Sequence, residues 1–259
     1  MSAKRLLSGP AVPPRAGGAP KQLVVLLHGI GADGSDLISL APYYHSVLPD
    51  AYLVSPHAPF PFDMAPFGYM WFSVGNLGLN TRMDGVRTAA PMLNAFLDSE
   101  LARHRLTEAE LLLVGFSQGA MMALHVGLRR DRAPAGIISH SGMLVADARL
   151  ALEIKARPPV LLTHGAADEV LPAACLPAAE AALKAVGVPV EAHLIPRPRP
   201  RHRRGDAAPI ARLRRQVLPQ PALTSPTRLR GRRRGVARVF RLSYLEHRNK
   251  MLYARRAHG

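Results

Sequence analysis

A serine between two glycines, in the Gly-Phe-Ser-Gln-Gly sequence at residues 115–119, is the feature of this chain best suited to chemistry. An apolar run at residues 111–114 precedes it, and the mostly apolar residues 120–128 follow it. This order predicts a strand, a sharp turn and a helix, the setting of a G-x-S-x-G nucleophile elbow. We therefore predict that Ser117 is a nucleophile. The alternative is a structural serine in a tight turn.

A nucleophilic serine needs an oxyanion hole, and a glycine-rich turn at residues 28–34 is suited to form one. This turn leaves the apolar run at residues 23–27. The backbone N–H of Ile30 would supply one donor, and the N–H of Gln118, directly after the nucleophile, the second. The alternative is a plain glycine turn after a strand.

A carboxylate that orients the catalytic base is expected at Asp168. It lies in a turn that follows the apolar run at residues 160–163, at the carboxyl end of a predicted strand, where open α/β sheets place their sites. Its role would be to accept the imidazole N–H and to stabilise imidazolium as it forms. Glu169 is the neighbouring candidate. The alternative is a solvated loop carboxylate or a cap for the following helix.

Short, continuously apolar runs recur along the chain and predict strands that are buried on both faces. They lie at residues 23–27, 51–55, 111–114, 136–139, 160–164 and 190–195. Apolar residues at helical spacing fall between them, at residues 88–101 and 171–186. This alternation predicts an α/β fold, with a mostly parallel sheet and helices on both faces.

Four motifs together resemble the phospholipase/carboxylesterase family, the small α/β-hydrolases that include bacterial carboxylesterases and acyl-protein thioesterases. They are residues 27–33, Trp71-Phe72, residues 115–119 and residues 165–172. The resemblance covers about residues 20–196. It implies an α/β-hydrolase fold and a cofactor-free serine hydrolase that cleaves carboxylic esters or thioesters.

Carried over by motif, the resemblance makes Ser117 the nucleophile and Asp168 the orienter, with Ile30 and Gln118 as the oxyanion hole. Trp71 and Phe72 end an aromatic stretch at residues 59–72, for which two interpretations stand. A mobile apolar loop near the site could bind the acyl chain of the substrate, or the aromatic residues could cover the sheet.

The catalytic histidine of the family is missing from its place. In the family, a glycine-rich turn with this histidine follows the last strand. Here residues 196–205 alternate between proline and arginine around His202. His202 is the candidate substitute base, although nearby arginines disfavour its protonation. His193 lies inside the predicted strand, and two further histidines lie far along the chain.

The composition changes at the same point. Residues 1–196 contain 15 basic and 16 acidic residues, whereas residues 197–259 contain 19 and 2. Arginine is mostly encoded by CGN and proline by CCN, so alternating Arg-Pro is typical of GC-rich DNA read in a wrong frame. We interpret the change as a frameshift near Arg197, which would place the missing histidine at Pro200. The alternative is a catalytically impaired scaffold whose basic tail binds nucleic acid or anionic surfaces.

The composition indicates which disulfides, metal sites and membrane segments can be expected. One cysteine, Cys175, excludes a disulfide framework or a cysteine cluster for a metal. No apolar run reaches membrane-spanning length, and residues 1–20 have the proline and glycine content of a flexible leader. We expect a hydrolase domain at residues 21–196, no cofactor or metal, a small ester or thioester substrate, and a cytoplasmic location.

Overall fold

One mostly parallel sheet of seven strands forms the centre of the computed structural model, which describes residues 6–74 and 79–196. The seven strands are β1 (Ala11–Val12), β2 (Gln22–Leu27), β3 (Ala51–Val54), β6 (Leu111–Phe116), β7 (Gly136–His140), β8 (Val160–Gly165) and β9 (Val190–Ile195). Two further strands, β4 (Phe60–Pro61) and β5 (Tyr69–Met70), form a separate short hairpin. The sheet order is β1-β3-β2-β6-β7-β8-β9, and only β1 runs antiparallel to its neighbour.

Helices cover both faces of this sheet. They are α1 (Gly34–Ile38), α2 (Ala41–His45), α3 (Leu79–His104), α4 (Gln118–Gly127), α5 (Leu150–Glu153) and α6 (Cys175–Ala185). The buried apolar side chains of α3, α4 and α6 form one core with one face of the sheet, and those of α1 and α2 form a second core with the other. The predicted fold class is confirmed: this is an α/β-hydrolase architecture.

The leader departs from the flexible segment expected from its composition. Residues 11–12 form the edge strand β1, which pairs with β3 opposite Val54 and Leu53. Two further backbone bonds continue the contact, from Ser55 N–H to Pro10 O at 3.0 Å and from His57 N–H to Ser8 O at 2.9 Å. Pro10 is tolerated at the start of β1 because β1 is an edge strand, and an edge strand leaves some N–H groups without a partner.

The carboxyl ends of β2, β6 and β8 lie at one edge of the sheet because these strands are parallel. The predicted oxyanion turn, Ser117 and the turn of Asp168 therefore share that edge. Residues 197–259, and His202 with them, lie outside the described residues. Within the described part of the chain, no helix has the length and apolar character to cross a membrane.

Candidate active site

Ser117 occupies the tip of a strained turn between β6 and α4. Its backbone has φ 52° and ψ −115°, a conformation that non-glycine residues rarely adopt. Its N–H donates to the carbonyl oxygen of His140 on the neighbouring strand at 2.9 Å. Holding a non-glycine residue in this region costs on the order of 1–3 kcal/mol, and such strain is concentrated at functional sites.

The glycines around Ser117 are required by close backbone contacts. A Cβ added to Gly115 would lie 2.3 Å from the carbonyl oxygen of Gly119. A Cβ added to Gly119 would lie 2.1 Å from the carbonyl oxygen of Leu27. The turn thus packs directly against the end of β2, where the predicted oxyanion turn begins.

The turn after β2 lies beside Ser117, as an oxyanion hole requires. A Cβ on Gly29 would be 3.4 Å from the Cβ of Ser117. The β4–β5 hairpin holds the turn from the other side, because Gly31 N–H donates to Tyr69 O and Tyr69 N–H donates to Ala32 O, both at 2.8 Å. The backbone of Ile30 is therefore fixed between Ser117 and the hairpin.

The side chain of Gln118 is buried and joins the serine turn to the Trp71–Phe72 segment. Its Oε1 accepts from Trp71 N–H at 2.8 Å, and its Nε2 donates to Phe72 O at 2.6 Å. The indole Nε1 of Trp71 donates in turn to the carbonyl oxygen of His28 at 3.0 Å. The G-x-S-x-G pattern gives no signal for these contacts, because it leaves the residue after serine unspecified.

His28 is excluded as the base by its surroundings. Its ring is fully buried, Nε2 accepts from Ala58 N–H at 3.0 Å, and Nδ1 lies 2.7 Å from Gly29 O. Burial lowers the pKa of His28, so the ring stays neutral with Nδ1 donating to Gly29 O. This buried histidine therefore contacts the backbone of the turn after β2 from within the core.

Asp168 sits in the turn after β8. Its Oδ1 accepts from the N–H groups of Val170 and Leu171, both at 3.0 Å, which fixes the carboxylate. Its Oδ2 lies 3.6 Å from Nε2 of the buried His164, and that nitrogen lies 3.0 Å from Leu171 O. The neighbouring Glu169 is exposed.

The end of β9 lies directly beside the turn of Asp168. Ala166 N–H donates to Ile195 O at 2.8 Å, and Gly165 pairs with Ile195 in the sheet. The chain therefore leaves β9 next to the turn of Asp168. His193, inside β9, is half-buried and is bonded instead to Glu191.

The aromatic stretch divides into buried and exposed residues. Trp71 and Phe72 are almost fully buried, so the described surface at the β4–β5 hairpin consists of other residues. Met64 and Phe67, both 74% exposed, lie between the two strands of the hairpin. Substrate binding by Trp71 and Phe72 stays a prediction.

Comparison with known proteins points to one family. Residues 13–203 match the model of the phospholipase/carboxylesterase family, and residues 204–259 lie outside the match. The crystal structure of esterase PE8 is 43% identical with a TM-score of 0.71, over 74% of this chain and 90% of that one.

Two further relatives also resemble the chain. Acyl-protein thioesterase 1 of Schizosaccharomyces pombe is 30% identical over 164 residues, which is 58% of this chain and 69% of the relative. Esterase YpfH of Escherichia coli is 27% identical over 167 residues, which is 64% of this chain and 70% of the relative.

Proposed function

Because the chain belongs to the phospholipase/carboxylesterase family, we propose that it is a serine hydrolase that cleaves carboxylic esters or thioesters through an acyl-enzyme. The observation that carries this proposal is the strained backbone of Ser117 at the end of β6. The surrounding glycines admit no side chain without a backbone shift, so the local sequence is fitted to this one conformation. Strain of this kind is a reason to infer function.

The proposed chemistry begins with attack by Ser117 Oγ on the substrate carbonyl carbon. A histidine base takes the hydroxyl proton, and the backbone N–H groups of Ile30 and Gln118 stabilise the negative oxygen of the tetrahedral intermediate. The intermediate collapses to an acyl-enzyme as the protonated histidine gives its proton to the leaving alcohol or thiol. Water, activated by the same histidine, then releases the acid and restores the serine.

We assign to Asp168 the task of orienting that histidine through Oδ2. The contacts of Oδ1 to two backbone N–H groups leave the carboxylate in one orientation. The base would come from the loop after Ile195, which starts beside the Asp168 turn. In the present sequence His202 is the candidate base, and in the restored reading frame the histidine at the position of Pro200 takes its place.

Labelling with a fluorophosphonate tests the proposal. The probe should modify Ser117, and Ser117→Ala should abolish the modification. Ser141 is a matched control because it is a serine that, like Ser117, has a positive φ, at 46°. Ser141→Ala should keep the label on Ser117, as peptide mapping would show. Absence of labelling in the parent protein would contradict an activated serine.

A non-enzymatic role is the second candidate, and the charge of residues 197–259 favours it. These residues include 19 basic and only 2 acidic side chains. The excess of positive charge would bind phosphate backbones with little sequence preference. Binding of a mixed-sequence RNA should then fall steeply with salt and disappear on truncation after Pro196. Binding that survives truncation would rule this candidate out.

A further inference from the structure

Three segments that are distant in sequence are joined at the serine turn by two buried side chains, those of Gln118 and Trp71. Gln118 contacts the backbone of Trp71 and of Phe72, 47 and 46 residues away. The Trp71 indole then reaches the carbonyl of His28, 43 residues away. Gln118 is 2% exposed, and Trp71 and His28 are fully buried.

These contacts form a closed path between the two proposed oxyanion donors. One donor is the N–H of Gln118 itself, and the other, on Ile30, lies two residues after His28. The path runs from the Gln118 amide through Trp71 to the His28 carbonyl, and it closes where Gly119 packs against the carbonyls of Leu27 and His28.

We propose that the Gln118 side chain is a positioning group that sets the separation of the two oxyanion N–H donors through Trp71. The inference rests on the proposed function, since it assigns a second role to a residue whose backbone is one of the donors. A hydrogen bond from Gln118 to Trp71 and another to Phe72 restrain the indole, and the indole restrains the turn that carries Ile30.

The chemistry of the contact requires an amide. Trp71 N–H needs an acceptor, whereas Phe72 C=O needs a donor, and a glutamine amide supplies both in one plane. A carboxylate of the same size keeps the first bond but turns an oxygen toward the Phe72 carbonyl. A carboxylic acid, once protonated, can donate again. Gln118→Glu should therefore lose the restraint near neutral pH and regain it in acid.

Trp71 reports the restraint directly, because it is the single tryptophan of the chain. The parent protein should show the blue-shifted emission of a buried indole from about pH 5 to about pH 8. Gln118→Glu should emit at longer wavelength at about pH 8 and return toward the parent at about pH 5. Asn94→Asp is the matched control: it makes the same chemical change on α3, where the side chain accepts from Arg130. Its emission should equal that of the parent.

Binding of a short alkyl boronic acid tests the oxyanion part of the proposal. Addition of Ser117 Oγ to boron releases the hydroxyl proton and gives an anionic tetrahedral adduct. Gln118→Glu should bind this probe at least about tenfold more weakly than the parent at about pH 8, because misplaced oxyanion N–H donors stabilise the anionic adduct less. The two proteins should bind it within about threefold of each other at about pH 5, and Asn94→Asp should match the parent at both.

Equal emission of Gln118→Glu and the parent at all pH values would overturn the proposal, and so would equal boronate affinity at about pH 8. A loss of affinity that acid does not restore would also overturn it, because a general loss of structure would not depend on the protonation of one carboxyl. Failure of the parent protein to bind boronate would overturn the proposed serine hydrolase function instead. Emission alone would then decide whether Gln118 holds Trp71.

Discussion

The carbonyl oxygen of Leu27 lies 2.1 Å from the point where Gly119 would carry a Cβ. The serine turn and the end of β2 are therefore in backbone contact, with no side chain between them. This contact puts the turn after β2 beside Ser117. The geometry of the proposed oxyanion hole thus depends on residue 119 having no side chain.

Replacing Gly119 with alanine should separate the two backbones. We expect Gly119→Ala to lower the free energy of unfolding by about 1–3 kcal/mol, as overpacking does, and to slow fluorophosphonate labelling at least about tenfold. Urea unfolding and labelling rates would measure both effects. Gly17→Ala is the control, because its surroundings are open but its φ is +75°. Backbone strain should lower the free energy of unfolding of Gly17→Ala by about 1–2 kcal/mol, while its labelling rate equals that of the parent. Equal labelling by both variants would contradict the argument.

Restoring the reading frame at Arg197 should restore the base. The new chain would carry a histidine at the position of Pro200, in the loop that begins beside Asp168. We expect it to hydrolyse p-nitrophenyl butyrate at least about 10³ times faster than the chain as given, since triad members act as a unit. The restored chain with this histidine changed to alanine should return to the slow rate. Resequencing the gene across the codons for residues 194–206 would show which frame is real.

Asp168→Asn, made in the frame-restored chain, should separate the effect of Asp168 on the orientation of the catalytic histidine from its effect on stability. An asparagine Oδ1 can still accept from Val170 and Leu171, so the midpoint of urea unfolding should barely change. Hydrolysis should fall by about 10²–10⁴, because the amide cannot stabilise imidazolium. Asp131→Asn, at an exposed ion pair with Lys155, should leave hydrolysis unchanged. Full activity in Asp168→Asn would exclude this residue as the orienter.

Acid should destabilise the fold through His125 on α4. Burial, with a smaller effect from Arg129, lowers the pKa of His125 to about 4. The unfolded chain takes up this proton near pH 6.5, so stability is complete above that pH and falls as the pH drops toward 4. The loss should reach about 3 kcal/mol. Its Nδ1 is buried without a hydrogen-bond partner among the described residues, so His125→Leu should fold. Measured by urea unfolding, the free energy of unfolding should fall less between pH 7 and pH 4.5 in this variant than in the parent. An equal fall in both proteins would contradict the role of His125.

The sequence predicted those parts of the fold that leave a local pattern. Strands buried on both faces are short apolar runs, so β9 was predicted over residues 190–195, the range observed. Helix α3 was predicted from residue 88, but it begins at Leu79. Its first turns contain polar residues and Gly85, which weaken the helical pattern. Helix α6 begins at Cys175, four residues later than predicted.

The candidate site was predictable where one short motif marks a residue, and not where distant segments meet. For both Ser117 and Asp168, the local sequence predicts a turn directly after a strand. The contact of Gln118 with Trp71 joins residues 47 positions apart, so it exists only in the folded chain. The buried role of His28 depends likewise on Ala58. The base stays a prediction, because His202 lies outside the described residues.

Trapping the acyl-enzyme would test the central claim most directly. The chain as given should be mixed with p-nitrophenyl butyrate, quenched in acid and mapped by mass spectrometry, in a Cys175→Ser background that removes the only thiol. We expect a butyryl group on the peptide that contains Ser117, and none when Ser117→Ala is treated in the same way. A butyryl group that persists in Ser117→Ala would contradict Ser117 as the nucleophile, and so would a frame-restored chain that is never acylated.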